Sequence, residues 1–380
     1  MIASGRRLVL PLAVLVVGVA ARCAVSRLGY NYDLLSYTVV ASLVEDGRNV
    51  YAATTRYNYA PPWSYVLHAL AVVASRFDEP LAAFRWALTL LLTATDVAIA
   101  AWLLERFGQR AAILFFLNPV SVFITGYHRQ FDNIAVLVGL VAASAFGGRG
   151  ERGRPVAGSA LLGASLAIKH LLFVFPLWLA VKERSARDRL VVLLLPPALL
   201  AATFLPFLPT GAAGIVNNVL LYRGYGNASL WHLLLPDRLL ALVSPTGLFV
   251  AALAALGVLL RRHDPVTSLL AYLPALVAFS PSVANQALVL PAATMAVSPN
   301  PLFGAYVAVV SLHLLVHHEG LHLAAVERLV PGAVVGYPVQ VAILLAALLW
   351  MLGGRRIADL AARRLGRGAA GRAASDSHGT

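Results

Sequence analysis

Long, nearly uninterrupted apolar runs constrain this chain more than any other feature. The first spans 8–25, and others follow at about 63–76, 83–104, 111–127, 133–147, 156–168, 170–181, 189–208, 237–260, 266–281, 286–298, 301–316 and 336–353. Runs of this kind predict helices that satisfy their backbone polar groups internally, as lipid requires. A membrane barrel would instead alternate apolar and polar positions. Charged residues make up 12% of the 380 residues and hydrophobic ones 59%, whereas a water-facing domain carries about 25% charged residues. A soluble enzyme, a disordered chain and a coiled coil are excluded. The expected fold class is all-α, a polytopic transmembrane helical protein with about 11–13 membrane segments. Residues 1–354 are expected to form a single transmembrane domain, and 355–380 a basic cytoplasmic tail.

The formal charge is +13, and 28 of the 30 basic residues are Arg. Arg of this kind collects in cytoplasmic loops. No basic run is interleaved with stacking aromatics, so nucleic acid is not an expected partner. The single Cys23 excludes an intrachain disulfide and a thiolate metal cage. The Arg-bearing breaks at 105–110, 149–154, 182–189 and 261–263, with the tail from Arg355, are placed inside. The breaks at 209–236, 281–286 and 317–335 then fall outside. Segment 27–62 mixes Asp33, Glu45, Asp46, Arg48 and Arg56 with tyrosines, which suits an external loop carrying interfacial helices. Thirteen full crossings from an inside N-terminus would leave the basic tail outside. At least one segment, 63–76 or the pair 156–168/170–181, is therefore expected to be short or re-entrant. The protein is expected to be integral and multi-pass, in the plasma membrane of a prokaryote or the endoplasmic reticulum of a eukaryote.

Polar residues inside this apolar background are the candidates for chemistry, because ionisable groups in lipid cost several kcal/mol. Asp96 lies deep in an apolar run and reads as structural, a helix–helix contact paired with an Arg such as Arg85. Asp33, in Tyr30-Asn31-Tyr32-Asp33, is either a site residue or a solvated helix-capping acid. Tyr59-Ala60-Pro61-Pro62-Trp63 places two prolines at a helix start, so Pro61 and Pro62 read as structural. The break Tyr127-His128-Arg129-Gln130-Phe131-Asp132-Asn133 holds a base, a cation, an amide and an acid where a plain hairpin needs only a turn residue. Lys169-His170 interrupts 156–181 and demands a partner, for which a phosphate is suited. Arg223 lies among glycines and Asn285-Gln286 in a polar external turn. Asn227-Ala228-Ser229 is an external glycosylation sequon. His318-Glu319-Gly320-Leu321-His322 fits the H-E-x-x-H spacing of a zinc protease, which needs a helix through the motif and a third ligand.

Taken in order, these sites resemble the GT-C superfamily of multi-spanning glycosyltransferases that use lipid-linked sugars. The likeness is nearest to the dolichyl-phosphate-hexose-dependent glucosyl- and mannosyltransferases of N-glycan and GPI-anchor assembly and their prokaryotic relatives. Tyr32-Asp33 resembles that family's catalytic acid position, and Tyr59-Ala60-Pro61-Pro62 its Tyr-Pro-Pro element with Ala60 inserted. Asp96 is similar to its acid in a following helix. Asn118-Pro119 through Gly126 and His128 to Asn133 resembles its Asn-Pro opening and Gly/His/Gln–aromatic–Asp/Asn cluster. Ile168-Lys169-His170 with Pro176 resembles the Lys-bearing segment, and Leu205-Pro206-Phe207 also matches. The eukaryotic enzymes carry Val-His-Glu-Lys in the late external turn where this chain has Val283-Ala284-Asn285-Gln286. The likeness covers roughly residues 1–300.

The resemblance implies inverting transfer of a mannosyl or glucosyl unit from a polyprenyl or dolichyl phosphate to a hydroxyl of a lipid-linked or membrane-associated acceptor. Such a displacement needs one base for the acceptor proton, assigned to Asp33, and cations for the leaving phosphate, assigned to Arg129, Lys169, His128 and Arg223. Tyr59, Gln130, Asp132, His170, Asn285 and Gln286 complete the expected substrate-binding set. No nucleotide fingerprint is present, and no cofactor is required. A divalent metal is compatible with Asp33 and Asp132 but is not indicated by a D-x-D. Two other readings stand beside this one. One is a transporter or lipid flippase with Asp96 and Lys169 as its coupling pair; the other is an intramembrane zinc protease.

Overall fold

A computed structural model describes residues 2–147, 153–222, 230–317 and 319–353. The described residues are mostly helical, with no strand among them. Among the described residues, twenty-one α-helices follow in chain order, with short 3-10 and π-helical turns between some of them. The first eight are α1 (Ile2–Arg27), α2 (Tyr32–Glu45), α3 (Val50–Ala53), α4 (Pro61–Ala74), α5 (Pro80–Phe107), α6 (Gln109–Phe116), α7 (Pro119–Phe123) and α8 (Asp132–Ala145). Then come α9 (Pro155–Ile168), α10 (Phe175–Ala180), α11 (Ala186–Phe204), α12 (Leu208–Ile215), α13 (Leu230–Leu234) and α14 (Asp237–Leu240). The last are α15 (Pro245–Leu259), α16 (Pro265–Phe279), α17 (Ala292–Val297), α18 (Pro301–Val316), α19 (Ala324–Glu327), α20 (Gly332–Val335) and α21 (Tyr337–Gly353).

Proline sets many of these boundaries. It occupies the first turn of α4, α5, α7, α9, α15, α16 and α18, where its missing N–H costs nothing and its φ already suits a helix. In Asn118-Pro119, Asp264-Pro265 and Asn300-Pro301 the preceding side chain also caps the helix, accepting from the backbone N–H of Val120, Thr267 and Phe303.

Among the described residues, two helices are long and apolar enough to cross a membrane: α5, and the continuous helical stretch Ala186–Leu220. Two bent pairs raise the number to four if each pair is one span: Leu12–Arg27 with α2, bent by 85°, and α6 with Pro119–His128, bent by 46°. The remaining apolar helices are 10–17 residues long, too short for a ~30 Å hydrocarbon core at 1.5 Å per residue. Against the expected 11–13 membrane segments, the described residues thus hold two to four helices or bent pairs long and apolar enough to span. Proline and polar breaks split 111–127, 170–181, 237–260 and 286–298, whereas the helix expected to end near residue 208 runs on to Leu220. The tail 355–380 lies outside the described residues.

Two apolar cores hold these pieces. The smaller lies beneath α2, α3 and α4 and is centred on Trp63 and Phe131, whose rings stack at 4.0 Å and 16°. The larger joins α5–α10 to α15–α18 and α21. On the outside, Leu190, Leu194, Leu205 and Leu220 are all exposed along one helical stretch. Aqueous proteins rarely leave so continuous an apolar surface bare.

Between the cores, Arg22 and Asp96 are both fully buried, with Arg22 Nε 2.9 Å from Asp96 Oδ2. Arg22 also donates to the Phe116 and Gly18 carbonyls and to Ser121 Oγ. Asp96 accepts from Thr125 at 2.7 Å and from Asn133 at 2.6 Å. One knot therefore ties α1, α5, α7 and α8 together. The partner of Asp96 is Arg22 rather than Arg85.

Candidate functional site

The helix begun by Pro119 loosens after one turn. Ile124–His128 is a π-helical turn, a distortion that recurs at functional sites because it turns side chains out of the regular register. Gly126 sits against α1, where a Cβ would lie 2.8 Å from the Arg22 carbonyl oxygen. Arg129 then takes a left-handed conformation, φ 54, which costs a non-glycine residue roughly 1–3 kcal/mol unless its surroundings hold it. They do. Arg129 is fully buried and donates to Thr89 Oγ1, Ser26 Oγ and the carbonyls of Ser26, Gly29 and Tyr127. Arg129 was expected to meet a phosphate. In the structure its guanidinium donates to α1, to Thr89 of α5, to the loop after α1 and to its own turn.

Fixing that loop brings Asp33 to the polar break. Asp33 is in the first turn of α2 and half-buried. One carboxylate oxygen, Oδ2, accepts from Asn31 Nδ2 at 3.0 Å and from Gln130 Nε2. Asn31 Nδ2 also lies 3.0 Å from His128 Nδ1. Gln130 is fixed from behind, its Oε1 accepting from Tyr37 at 3.3 Å. Asp33, His128 and Gln130 are thus brought together, joined by Asn31 and Tyr37. Both amide donors meet the same carboxylate oxygen, Oδ2.

Lys169 approaches from another side. The backbone becomes extended there (φ −152, ψ 125) and ends α9. The ammonium lies 2.6 Å from Asp132 Oδ2, with 9% and 2% side-chain exposure. It also sits over the Phe131 ring at 4.9 Å and the Tyr59 ring at 5.2 Å. Lys169, Asp132 and Tyr59 form one cluster, with partly buried His170 next in the chain. The proposed coupling pair Asp96–Lys169 does not form, since each has another partner. Pro61 and Pro62 open α4, and the Tyr51 and Tyr57 hydroxyls pin the segment before it by donating to the Tyr59 and Ala60 carbonyls.

Asn285 belongs to a separate cluster. Its Oδ1 accepts from Tyr337 at 2.7 Å and lies 2.8 Å from His313 Nε2, while Nδ2 is 3.4 Å from His317 Nδ1. The 3-10 turn that begins at Asn285 packs against the π turn carrying His128, so the two clusters are neighbours. Gln286 is partly buried beside it. Arg223, the sequon and His318 lie outside the described residues.

The zinc-protease geometry is not formed. Glu319–Leu321 is turn, His322 has φ 48, and no helix passes through 319–323. His322 pairs instead with Glu327 at 3.2 Å on the surface. Among the described residues, no group of three or more His, Cys, Asp or Glu side chains is placed to hold a metal ion.

Asn31, Tyr37 and Arg22 were not singled out from sequence. Arg22 could have been, since a cation within the run 8–25 carries the same cost that marked Asp96. Asn31 had only its place beside Asp33, and Tyr37 gave no polar signal. In comparison with known proteins, no family model, curated protein or solved structure matches this chain.

Proposed function

We propose that this chain is a multi-spanning membrane glycosyltransferase of the GT-C type. It moves a mannosyl or glucosyl unit from a polyprenyl or dolichyl phosphate to a hydroxyl of a lipid-linked or membrane-associated acceptor. The observation that carries the reading is the setting of Asp33: a half-buried carboxylate with one oxygen gripped by two amides and the other left for a proton. In this reading Asp33 takes the acceptor's proton as the acceptor oxygen attacks the anomeric carbon from the face opposite the phosphate. The sugar–phosphate bond breaks and the electron pair leaves on the lipid phosphate, inverting the anomeric centre. The phosphate needs positive charge more than protons. Lys169 supplies it, because Asp132 engages one of its three N–H groups and no other hydrogen-bonding partner is present among the described residues. Exposed leucines on Ala186–Leu220 face the acyl chains, and the short apolar helices pack as broken or re-entrant segments around the site.

The test is to incubate membranes containing the protein with labelled polyprenyl-phosphate mannose and glucose. A labelled lipid-soluble product, absent with Asp33→Asn, is the expected outcome. Uptake of labelled lipid across a vesicle without a new glycosidic bond would favour the transporter reading instead.

A further inference from the structure

Two polar atoms beside Asp33 are buried without a partner among the described residues: Asn31 Oδ1 and His128 Nε2. Native proteins leave few such groups, because each costs the desolvation of the group with nothing in return. Their chemistry follows from the contact between them. Asn31 Nδ2 can only donate, so His128 Nδ1, 3.0 Å away, must be the lone-pair nitrogen. The ring proton of the neutral imidazole is therefore on Nε2. The two orphans are a donor, His128 Nε2–H, and an acceptor, Asn31 Oδ1. A phosphate ester at neutral pH offers acceptors alone and would leave Asn31 Oδ1 unpaired. A sugar offers hydroxyls that both donate and accept.

We infer that Asn31 and His128 form a hydroxyl-reading pair for the transferred sugar. Asn31 Oδ1 accepts from one hydroxyl, and His128 Nε2–H donates to its neighbour on the ring. This rests on the glycosyl-transfer reading above and goes beyond it by naming what selects the hexose. The same Asn31 amide grips Asp33 Oδ2, so the residue that reads the sugar also orients the base. His128 lies at the end of the π turn, locked behind by Arg129, which explains why so distorted a segment is held so firmly.

The experiment uses the full-length protein in lipid nanodiscs, with polyprenyl-phosphate mannose or glucose, whichever it transfers. It adds donors in which one ring hydroxyl at a time is replaced by hydrogen. Wild type is expected to lose roughly ten- to hundredfold in kcat/KM for one deoxy donor or two adjacent ones, as a site with unpaired polar groups rejects a ligand lacking their partner. Asn31→Ala and His128→Ala should bring that ratio close to one, and His128→Gln, whose side-chain amide still donates, should retain most of it. Thermal midpoints confirm that the variants fold. Wild type that transfers the parent sugar but treats every deoxy donor alike overturns the inference, without relying on any variant. Variants that slow the parent and all deoxy donors by one common factor also overturn it. Wild type that transfers neither sugar removes the glycosyl-transfer reading, and this inference with it.

Discussion

The Lys169 ammonium lies 2.6 Å from the Asp132 carboxylate, and both are almost entirely removed from solvent. In so dry a setting the pair is held by its own attraction and by the faces of Phe131 and Tyr59, and removing one member strands the other charge. Lys169→Met and Asp132→Asn are each expected to cost about 3–5 kcal/mol, seen as a lower thermal midpoint in detergent. Lys169→Met with Asp132→Leu should recover much of the stability while leaving transfer absent, since the phosphate would then meet no cation. Recovery of both stability and transfer in the double variant would show that Lys169 has no role with the donor.

The Arg22–Asp96 knot gives a purely structural counterpart. Asp96 receives hydrogen bonds from α1, α7, the π turn and α8, so Asp96→Ala leaves a buried guanidinium and several donors unmet. The expected loss is again about 3–5 kcal/mol. Asp96→Asn should cost less, because its amide oxygen still accepts. Unchanged stability of Asp96→Ala would mean that this knot does not hold the bundle.

Two glycines give a matched packing test. At Gly126 an added methyl would press on the Arg22 carbonyl at 2.8 Å and on the Val25 side chain at 3.1 Å, whereas at Gly304, inside α18, nothing lies within 4 Å. Gly126→Ala is expected to destabilise by about 1–3 kcal/mol and to disturb the π turn that carries His128. Gly304→Ala should be neutral or stabilising by roughly 0.5–1 kcal/mol, as in any open helix interior. Unfolding midpoints of the two variants decide it.

Much of the architecture was legible in the sequence because it depends on local chemistry. The apolar runs expected from residues 266 and 301 begin beside Asp264-Pro265 and Asn300-Pro301, and the structure starts α16 and α18 at those prolines. The length of an uninterrupted helix was less legible. Residues 205–220 continue helical despite Pro206 and Pro209, while 111–127 breaks at Asn118. The gathering of His128, Gln130 and Asp132 in one break was visible as a density of polar residues between apolar runs. Their partners were not, because Arg22 with Asp96 and Lys169 with Asp132 are pairings across 74 and 37 residues. Arg129 shows the limit most clearly. A cation beside a candidate base suggested a ligand, and only its ring of carbonyl acceptors identifies it as a brace for the loop.

Lys182 supplies a pH test at a position outside the spanning segments. Its ammonium donates to the carbonyls of Leu260 and His263, clamping the end of α15. Burial lowers its pKa to about 8, with the charge of Asp264 acting in the opposite direction. A free lysine titrates near 10.4, so between about pH 8 and 10 the unfolded chain binds more protons than the folded one, and stability rises with pH. Below pH 8 the cost of burying the charge is fully present. The thermal midpoint of wild type, measured against Lys182→Met, should therefore gain across pH 8–10. A constant difference would contradict the burial.

In the proposed reaction, Asp33 removes the acceptor's proton. The most direct test is single-turnover transfer from labelled polyprenyl-phosphate hexose by the purified full-length protein and by Asp33→Asn, each first checked for an unchanged thermal midpoint and retained donor binding. Asparagine preserves the shape and can still accept from Asn31 and Gln130, but it cannot take a proton. General-base catalysis of this kind contributes about 10²–10⁴-fold, so Asp33→Asn is expected to bind the donor normally and to transfer at least about a hundredfold more slowly. Transfer by Asp33→Asn at the wild-type rate would contradict it.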